Sequence, residues 1–381
     1  MSTIGRRGRR DLAERMAEAA AALLGTLDEP QRSVACWPFD DHPERTRWFY
    51  TPTEHGGLAL SAMAPSQQQL TMRLLAAGLS SAGYVTAATV MGLENVLDLI
   101  ENFAVTWGRE RGRDPGLYYV RIFGDPTGTE PWAWRFGGHH VSVHHVIVDG
   151  EVVGSTPCFL GADPASSPLL GPHLLRPLAA AEDLGRELVR SLDDAQLRRA
   201  MLSPVAPTDL VSGNRTHYGS GEGDLPLTLS EVWREPFTGE LGARVTDMQA
   251  AMNAALGLTP AHLEALRLTA ESRGLAADAL RADQRQILRA LLDTYVARLP
   301  DELAAEETER YGSEEALGQL RFAWAGGTEP GQAHYYRVQG AELLAEYDNT
   351  PRGANHVHTV WRNARSDFGA DALAAHYQHH H

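Results

Sequence analysis

The sequence predicts an α+β fold: a mostly antiparallel sheet covered by helices, in a single integrated domain. Three observations carry that prediction. Apolar residues recur at helical spacing through the N-terminal and middle thirds, and two strand-rich regions show alternating faces and turn signals. No βαβ rhythm or phosphate-binding glycine loop is visible.

Taken in order, the first part, about residues 10–105, is helical. Leu12, Met16, Ala19 and Leu23 recur on one helix face, while Glu14, Arg15 and Glu18 interrupt the apolar run, so the alanine-rich start reads as an amphipathic helix and not as an export signal. The stretch from Met63 to Phe103 gives two amphipathic helices broken at Ser80 to Gly83, with serines suited to cap the second. Strand character begins near residue 116 and runs to about 160. There, Asp149-Gly150 separates two strand-like runs and is a strong hairpin signal. The pattern returns to helix over about 175–320, broken by a Gly, Ser and Pro-rich loop, Val205 to Pro226, of the long kind that is often functional. Its Gly-Ser-Gly-Glu-Gly matches neither a nucleophile elbow nor a dinucleotide turn. Thr259 and Pro260 open a further helix as N-cap and first helical residue. Strands come back over about 320–377.

Composition narrows the function. The chain has 381 residues, of which 43% are hydrophobic, so a sizeable core is available. With 49 acidic against 34 basic residues the formal charge is -15, and no basic stripe with interleaved aromatics occurs; nucleic acid and anionic membrane surfaces are not expected partners. No run of eighteen apolar residues is present. The two cysteines, Cys36 and Cys158, fit no metal or disulfide framework and suit a reducing, cytoplasmic setting as small buried hydrophobes. Oligomeric state is not legible.

The chemistry gathers around histidines. In "WRFGGHHVSVHHVIVDG", read as a strand, His140, Ser142 and His144 share one face and His139, Val141, Val143 and His145 the other, the first resembling a site and the second a core. Imidazole is the commonest metal ligand and titrates nearest neutral pH, so such a cluster points to a metal or to proton transfer; the alternative is a set of hydrogen-bonded core and surface histidines. Near the C-terminus, "HVHTVWR" puts His356, His358, Val360 and Arg362 on one face, a spacing that lets two imidazoles converge on one ion. The preceding strand carries Glu346 and Asp348 on one face and Tyr347 and Asn349 on the other. A carboxylate there serves as ligand, as orienting partner of an imidazole, or as general base; equally, Asp348 can be the start of a solvated turn. Arg135, Arg337 and Arg362 lie on strands near these histidines and suit a carboxylate or phosphate clamp, or structural ion pairs.

The blocks "RTRWFYTPTEHGGLAL", "LSSAGYVTAATVMGLENVL", "WAWRFGGHHVSVHHVIVDGEVVGSTPCFLGADPA" and "FAWAGGTEPGQAHYYRVQGAELLAEYDNTPRGANHVHTVWRNARSDFGADALAAHY" resemble the bacterial and fungal family catalogued as domain of unknown function 3500, from about Leu12 to Tyr377. The resemblance implies a recurring pattern of Arg135, His139, His140, Glu346 to Thr350, Asn355, His356 and His358. Where relatives usually read Leu-Asn, this chain has Val143-His144, which sets His144 apart. Relatives often carry an export signal, and the start of this sequence does not read as one. The terminal Gln-His-His-His resembles a tail or tag and is left out of the metal count.

Together these readings lead to an expected metal-dependent enzyme acting on a small, anionic substrate. His139, His140, His356 and His358 would hold Zn, Mn, Fe or Cu, and the ion would activate water. Asp348, Glu346 and Arg135 are the expected catalytic groups, and Arg337, Arg362, Asn355 and Tyr347 the expected substrate contacts. Two alternatives stand beside this: an Fe or Cu oxygenase or oxidase on the same histidines, and a non-enzymatic binder of a small molecule or peptide.

Overall fold

A computed structural model describes residues 3–40 and 42–380. The fold is α+β with a mostly antiparallel sheet, as the alternating faces and turn signals predict. Among the described residues no helix is long and apolar enough to cross a membrane. Contacts divide the chain into two compact units, each drawn from distant segments. The first takes Met1–Phe159, Val296–Glu309 and Arg365–His381, the second Leu160–Tyr295 and Arg310–Ala364.

In the first unit the strands Cys36–Trp37, Tyr118–Phe123, Trp132–Gly138, Val141–Val148 and Glu151–Gly154 lie side by side in that order, with Leu58–Ala59 also against Tyr118–Phe123. Only the first pair is parallel. Asp149 and Gly150, at φ 51 and 70, turn the chain between Val148 and Glu151 as the Asp-Gly signal requires. The helix Thr3–Leu24 buries Leu12, Met16, Ala19 and Leu23, the predicted stripe, against helix Pro65–Ala77. Ser80 caps helix Ser81–Ile100, its hydroxyl accepting from the Gly83 amide at 2.9 Å.

In the second unit the order is Met201–Ser203, Arg321–Gly326, His334–Gln339, Leu343–Asn349 and Val357–Asn363, with Leu275–Ala276 beside Arg321–Gly326. Alternation gives this sheet two unlike faces. On one, Trp324, His334, Tyr336 and Tyr347 stack with ring centroids 5.0 to 6.1 Å apart. Helix Ala179–Ser191 closes on that stack because Gly185 has no Cβ to strike the Tyr336 ring, and the Tyr336 hydroxyl donates to the Ala181 carbonyl at 2.9 Å. The other face carries the charged groups beside an apolar cluster that includes Ala325, Tyr335 and Leu344. Register sets Tyr335 and His358 on either side of Asp348, and Arg337 and Val360 on either side of Glu346.

The two units are built alike. Gly57-Leu58-Ala59, Gln67 and Leu74-Leu75 recur at constant spacing as Gly274-Leu275-Ala276, Gln284 and Leu291-Leu292. Each Gly-Leu-Ala run ends in a short strand antiparallel to the first long strand, with Leu58 opposite Val120 and Leu275 opposite Phe322. Gly57 and Gly274 stand at φ +104 and +114, where a Cβ would strike the Val120 and Phe322 carbonyl oxygens, so both positions demand glycine. Each unit also has a short Asp-capped helix running into the parallel edge strand: Asp28 before Glu29–Ala35, and Asp193 before Asp194–Ala200.

A pair of glutamines locks each arrangement. Gln31 Nε2 donates to Ala62 O at 2.9 Å and to Gln67 Oε1 at 3.0 Å, while Gln67 Nε2 donates to Thr26 O at 2.8 Å. Gln196 Nε2 donates to Ala279 O at 2.9 Å and to Gln284 Oε1 at 3.0 Å, while Gln284 Nε2 donates to Ser191 O at 2.7 Å. The same side chains with the same acceptors at matched positions make the chain an internal duplication. The constant spacing from the Gly-Leu-Ala run to the Leu-Leu pair was the available sequence signal for it, while the Asp-capped helices recur at a different spacing.

Candidate functional site

The second unit positions its histidine pair by a left-handed turn. Arg352, Gly353 and Ala354 at φ 52, 67 and 62 swing the chain from one strand into the next. The Asn355 carboxamide accepts from the Ser166 amide at 2.8 Å, and Asn349 Oδ1 accepts from the His356 amide at 3.0 Å, which fixes where the Val357–Asn363 strand begins. His356 and His358, two apart, then face each other, Nε2 to Nε2, at 3.0 Å with their rings 86° apart.

Carboxylates stand behind both rings. His358 Nδ1 donates to Asp209 Oδ1 at 2.7 Å, and His356 Nδ1 lies 3.5 Å from Asp163 Oδ2. A carboxylate accepts, so the ring hydrogen of His358 belongs on Nδ1 and its lone pair on Nε2, and the Asp163 carboxylate, held by Arg352 Nε at 2.8 Å, favours the same arrangement at His356. Two lone pairs at 3.0 Å repel unless a proton or a cation lies between them. The carboxylate–imidazole arrangement is the one that orients histidine ligands toward a metal.

Asp348, opposite His358, is fully buried. Burial, and then the charge of Asp209, hold its carboxyl well above the usual carboxylate range, against the opposing hydrogen bonds from the Thr350 hydroxyl at 2.8 Å and amide at 3.2 Å. A cavity of about 740 Å³ reaches Asn349, Ala354 and Asn355, the residues that flank His356, and Arg176, Arg186, Glu182 and Asp183 line its far wall.

In the first unit His139 and His140 are not on a strand face. They form the two-residue turn between Trp132–Gly138 and Val141–Val148, closed by Gly138 opposite Val141, so the alternation that grouped His140 with Ser142 and His144 stops at the turn. His140 sits at φ 65, a backbone state that costs a non-glycine residue about 1 kcal/mol. Its amide donates to Tyr50 O at 2.9 Å. The His139 and His140 rings lie 3.7 Å apart, and His139 Nδ1 meets Glu94 Oε1 at 2.5 Å. The donor atoms of Glu94, His139 and His140 all lie within 4.8 Å of one another, in buried surroundings.

The other two histidines of the opening motif are core residues. His144 stacks on Phe368 and meets Thr156 O at 2.5 Å through Nε2. His145 stacks on Trp134 and meets Gly78 O at 2.9 Å. Burial lowers both pKa values, His145 to about 4, so each is a neutral ring at physiological pH.

The three arginines tie covering segments to the sheets. Arg135 donates to the carbonyls of Glu44, Arg45 and Arg47, Arg337 to those of Leu266 and Arg267, and Arg362 to Thr216 O while its guanidinium lies over the Tyr218 ring. Glu346 accepts from the Val211 and Ser212 amides at 3.0 and 3.2 Å and from the Tyr335 hydroxyl at 2.6 Å, which anchors the loop that carries Asp209. Tyr347 belongs to the aromatic face, away from His358, where it stacks on Tyr336. Of the expected substrate contacts only Asn355 lines the cavity.

Sequence reasoning missed Glu94, Asp163 and Asp209. Glu94 carried a signal, an acid set in the apolar stripe of Val90, Leu93 and Leu97. Asp209 lay in the flagged loop, and Asp163 had no local sign.

Comparison with known proteins adds a family and no activity. No curated protein and no solved structure matches the chain. One family model, described as "Protein of unknown function (DUF3500)", matches residues 9–370. With nearly the whole chain inside that match, the protein belongs to the DUF3500 family.

Proposed function

We propose that the protein is a metal-dependent enzyme in which imidazoles hold a divalent transition metal (Zn, Mn, Fe or Cu) that activates water against a small polar substrate. In the second unit His356 and His358 are the proposed ligands, and in the first unit His139 and His140 are proposed as ligands. The observation that carries this reading is the Nε2 to Nε2 approach of His356 and His358 at 3.0 Å, with an acceptor carboxylate at the Nδ1 side of each ring. That geometry turns two lone pairs toward one point, which a cation relieves.

The remaining groups fit hydrolysis. A bound ion would lower the pKa of a water held beside these imidazoles toward neutrality. Asp348, whose buried carboxyl favours its protonated form, supplies a proton-holding group across the strand pair from His358. Substrate enters through the cavity that reaches Asn349 and Asn355.

Elemental analysis of tag-free protein purified without added metal tests the proposal, alongside a His356→Ala/His358→Ala double variant checked for folding by thermal melt. Near-stoichiometric metal in the native chain and its loss in the folded variant are expected, and the metal's identity then selects between hydrolysis and the oxygen chemistry open to iron or copper. Metal absent from both, with equally weak uptake of added ions, overturns it.

A further inference from the structure

Glu94 is the least expected charge in the first unit. It sits on helix Ser81–Ile100 in a stripe with Val90, Leu93 and Leu97, and only 3% of it is exposed. A carboxylate is retained in such surroundings when it is paired and hydrogen-bonded. Its partner is His139, at 2.5 Å through Nδ1.

One other group bears on that nitrogen. Arg113 NH1 lies 3.5 Å away, and Arg113 is itself clamped by Glu101 at 2.7 and 2.9 Å. A guanidinium only donates, so it would require an unprotonated Nδ1, whereas a carboxylate accepts and requires Nδ1–H. The contact with Glu94 is shorter by a full ångström, which decides the tautomer in favour of Nδ1–H. The Tyr118 hydroxyl, donating to the His139 carbonyl at 2.7 Å, holds the main chain of the same residue.

The construction repeats what stands behind His356 and His358: a carboxylate at Nδ1, with Nε2 left as the electron-pair donor. We infer that Glu94 is a positioning residue that fixes the Nδ1–H tautomer and ring orientation of His139 and so prepares Nε2 as a ligand atom. The inference rests on the imidazole–metal reading for its purpose, but the tautomer stands on its own geometry.

The experiment uses the full chain as wild type, Glu94→Ala, Glu94→Gln and His139→Ala, each checked by thermal melt, with Co(II) as probe and with nitrogen-15 NMR of labelled histidine in the metal-free state. Orienting partners of metal-bound histidines typically alter affinity by about 10 to 100-fold. Glu94→Ala is therefore expected to weaken Co(II) binding at least ten-fold and to shift the visible Co(II) bands. Glu94→Gln, which keeps an acceptor in the same place, is expected to recover part of the affinity. In the metal-free wild type, His139 is expected to show a protonated Nδ1 and a bare Nε2, a pattern that Glu94→Ala scrambles.

Unchanged Co(II) affinity and bands in Glu94→Ala, while His139→Ala lowers both, overturn the positioning role. An unchanged His139 nitrogen pattern in Glu94→Ala overturns the tautomer. A wild type that takes up no Co(II) defeats the metal reading separately, since the NMR result still decides whether Glu94 sets the tautomer.

Discussion

The first and second units share a plan and differ in what their matched strands carry. Both use a Gly-Leu-Ala entry, an Asp-capped helix and a reciprocal glutamine pair. Pairing register sets Arg135 opposite His144 in one and Arg337 opposite Glu346 in the other, and each arginine holds backbone carbonyls of its covering segment. Two residues further on, the strand of the first unit has Val146, while that of the second has Asp348, with His358 opposite it. The scaffold was copied, whereas the polar chemistry on these strands belongs to one copy. A fold repeated this closely therefore shows which predicted residues are architecture: the two arginines occupy matched places, and a matched place in both copies argues for a tie and not for a substrate clamp.

The largest expected effect breaks the symmetry. His356→Ala/His358→Ala should abolish metal uptake and turnover and leave the fold standing. His145→Phe, which changes a ring in the core of the first unit, should leave metal content unchanged as measured by elemental analysis.

Next comes acid. His145 and His334 each stack on a tryptophan, Trp134 and Trp324, at centroid distances of 4.9 and 5.1 Å, and burial pushes both pKa values from 6.5 down to about 4. Because the folded value lies below the unfolded one, the unfolded chain binds the proton more readily. The stability contribution is complete above pH 6.5 and is lost as pH falls toward 4, by about 3 kcal/mol per residue. Urea unfolding from pH 7.5 to 4 should show this slope, and His145→Phe and His334→Phe should each flatten it by a similar amount. A slope unchanged in both would show that neither ring is a buried neutral base.

The glutamine pairs sharpen the likeness. Gln284→Ala strands the buried Gln196 amide and Gln67→Ala the part-buried Gln31 amide, at a cost of about 1 to 3 kcal/mol with the Gln67 variant at the lower end. The double variant should be additive to within about 0.5 kcal/mol, since the two pairs share no hydrogen-bond partner. One costly and one neutral variant would mean that only one copy still relies on the pair. The smallest effects belong to the caps. Asp28→Ala and Asp193→Ala should each cost about 1 kcal/mol, readable as matched shifts of the thermal midpoint.

Much of this was written locally. The stripe of Leu12, Met16, Ala19 and Leu23, the Ser80 and Thr259 caps and the Asp149-Gly150 turn depend on neighbours within a few residues, and all appear where the spacing put them. His356, one residue before the strand Val357–Asn363, and His358 within it meet because extended backbone carries residues two apart to one side. His139 and His140 were misassigned for an equally local reason: the β-branched run that begins at Val141 was extended back through the histidines, and the Gly137-Gly138 pair before them was passed over as an end of the preceding strand.

The sequence by itself determined the class of fold, the Ser80 and Thr259 helix starts, the Asp149-Gly150 turn, and the imidazole pair two residues apart, because periodicity, caps and tight turns are settled between near neighbours. Only the tertiary structure decided which carboxylates stand behind which rings. Glu94 comes from a helix, Asp163 and Asp209 from segments far from the histidines they face, and the arginines and Glu346 are taken up by loops that pass over them. A side chain's hydrogen-bond partner depends on how distant segments pack, and no spacing rule reaches across that separation.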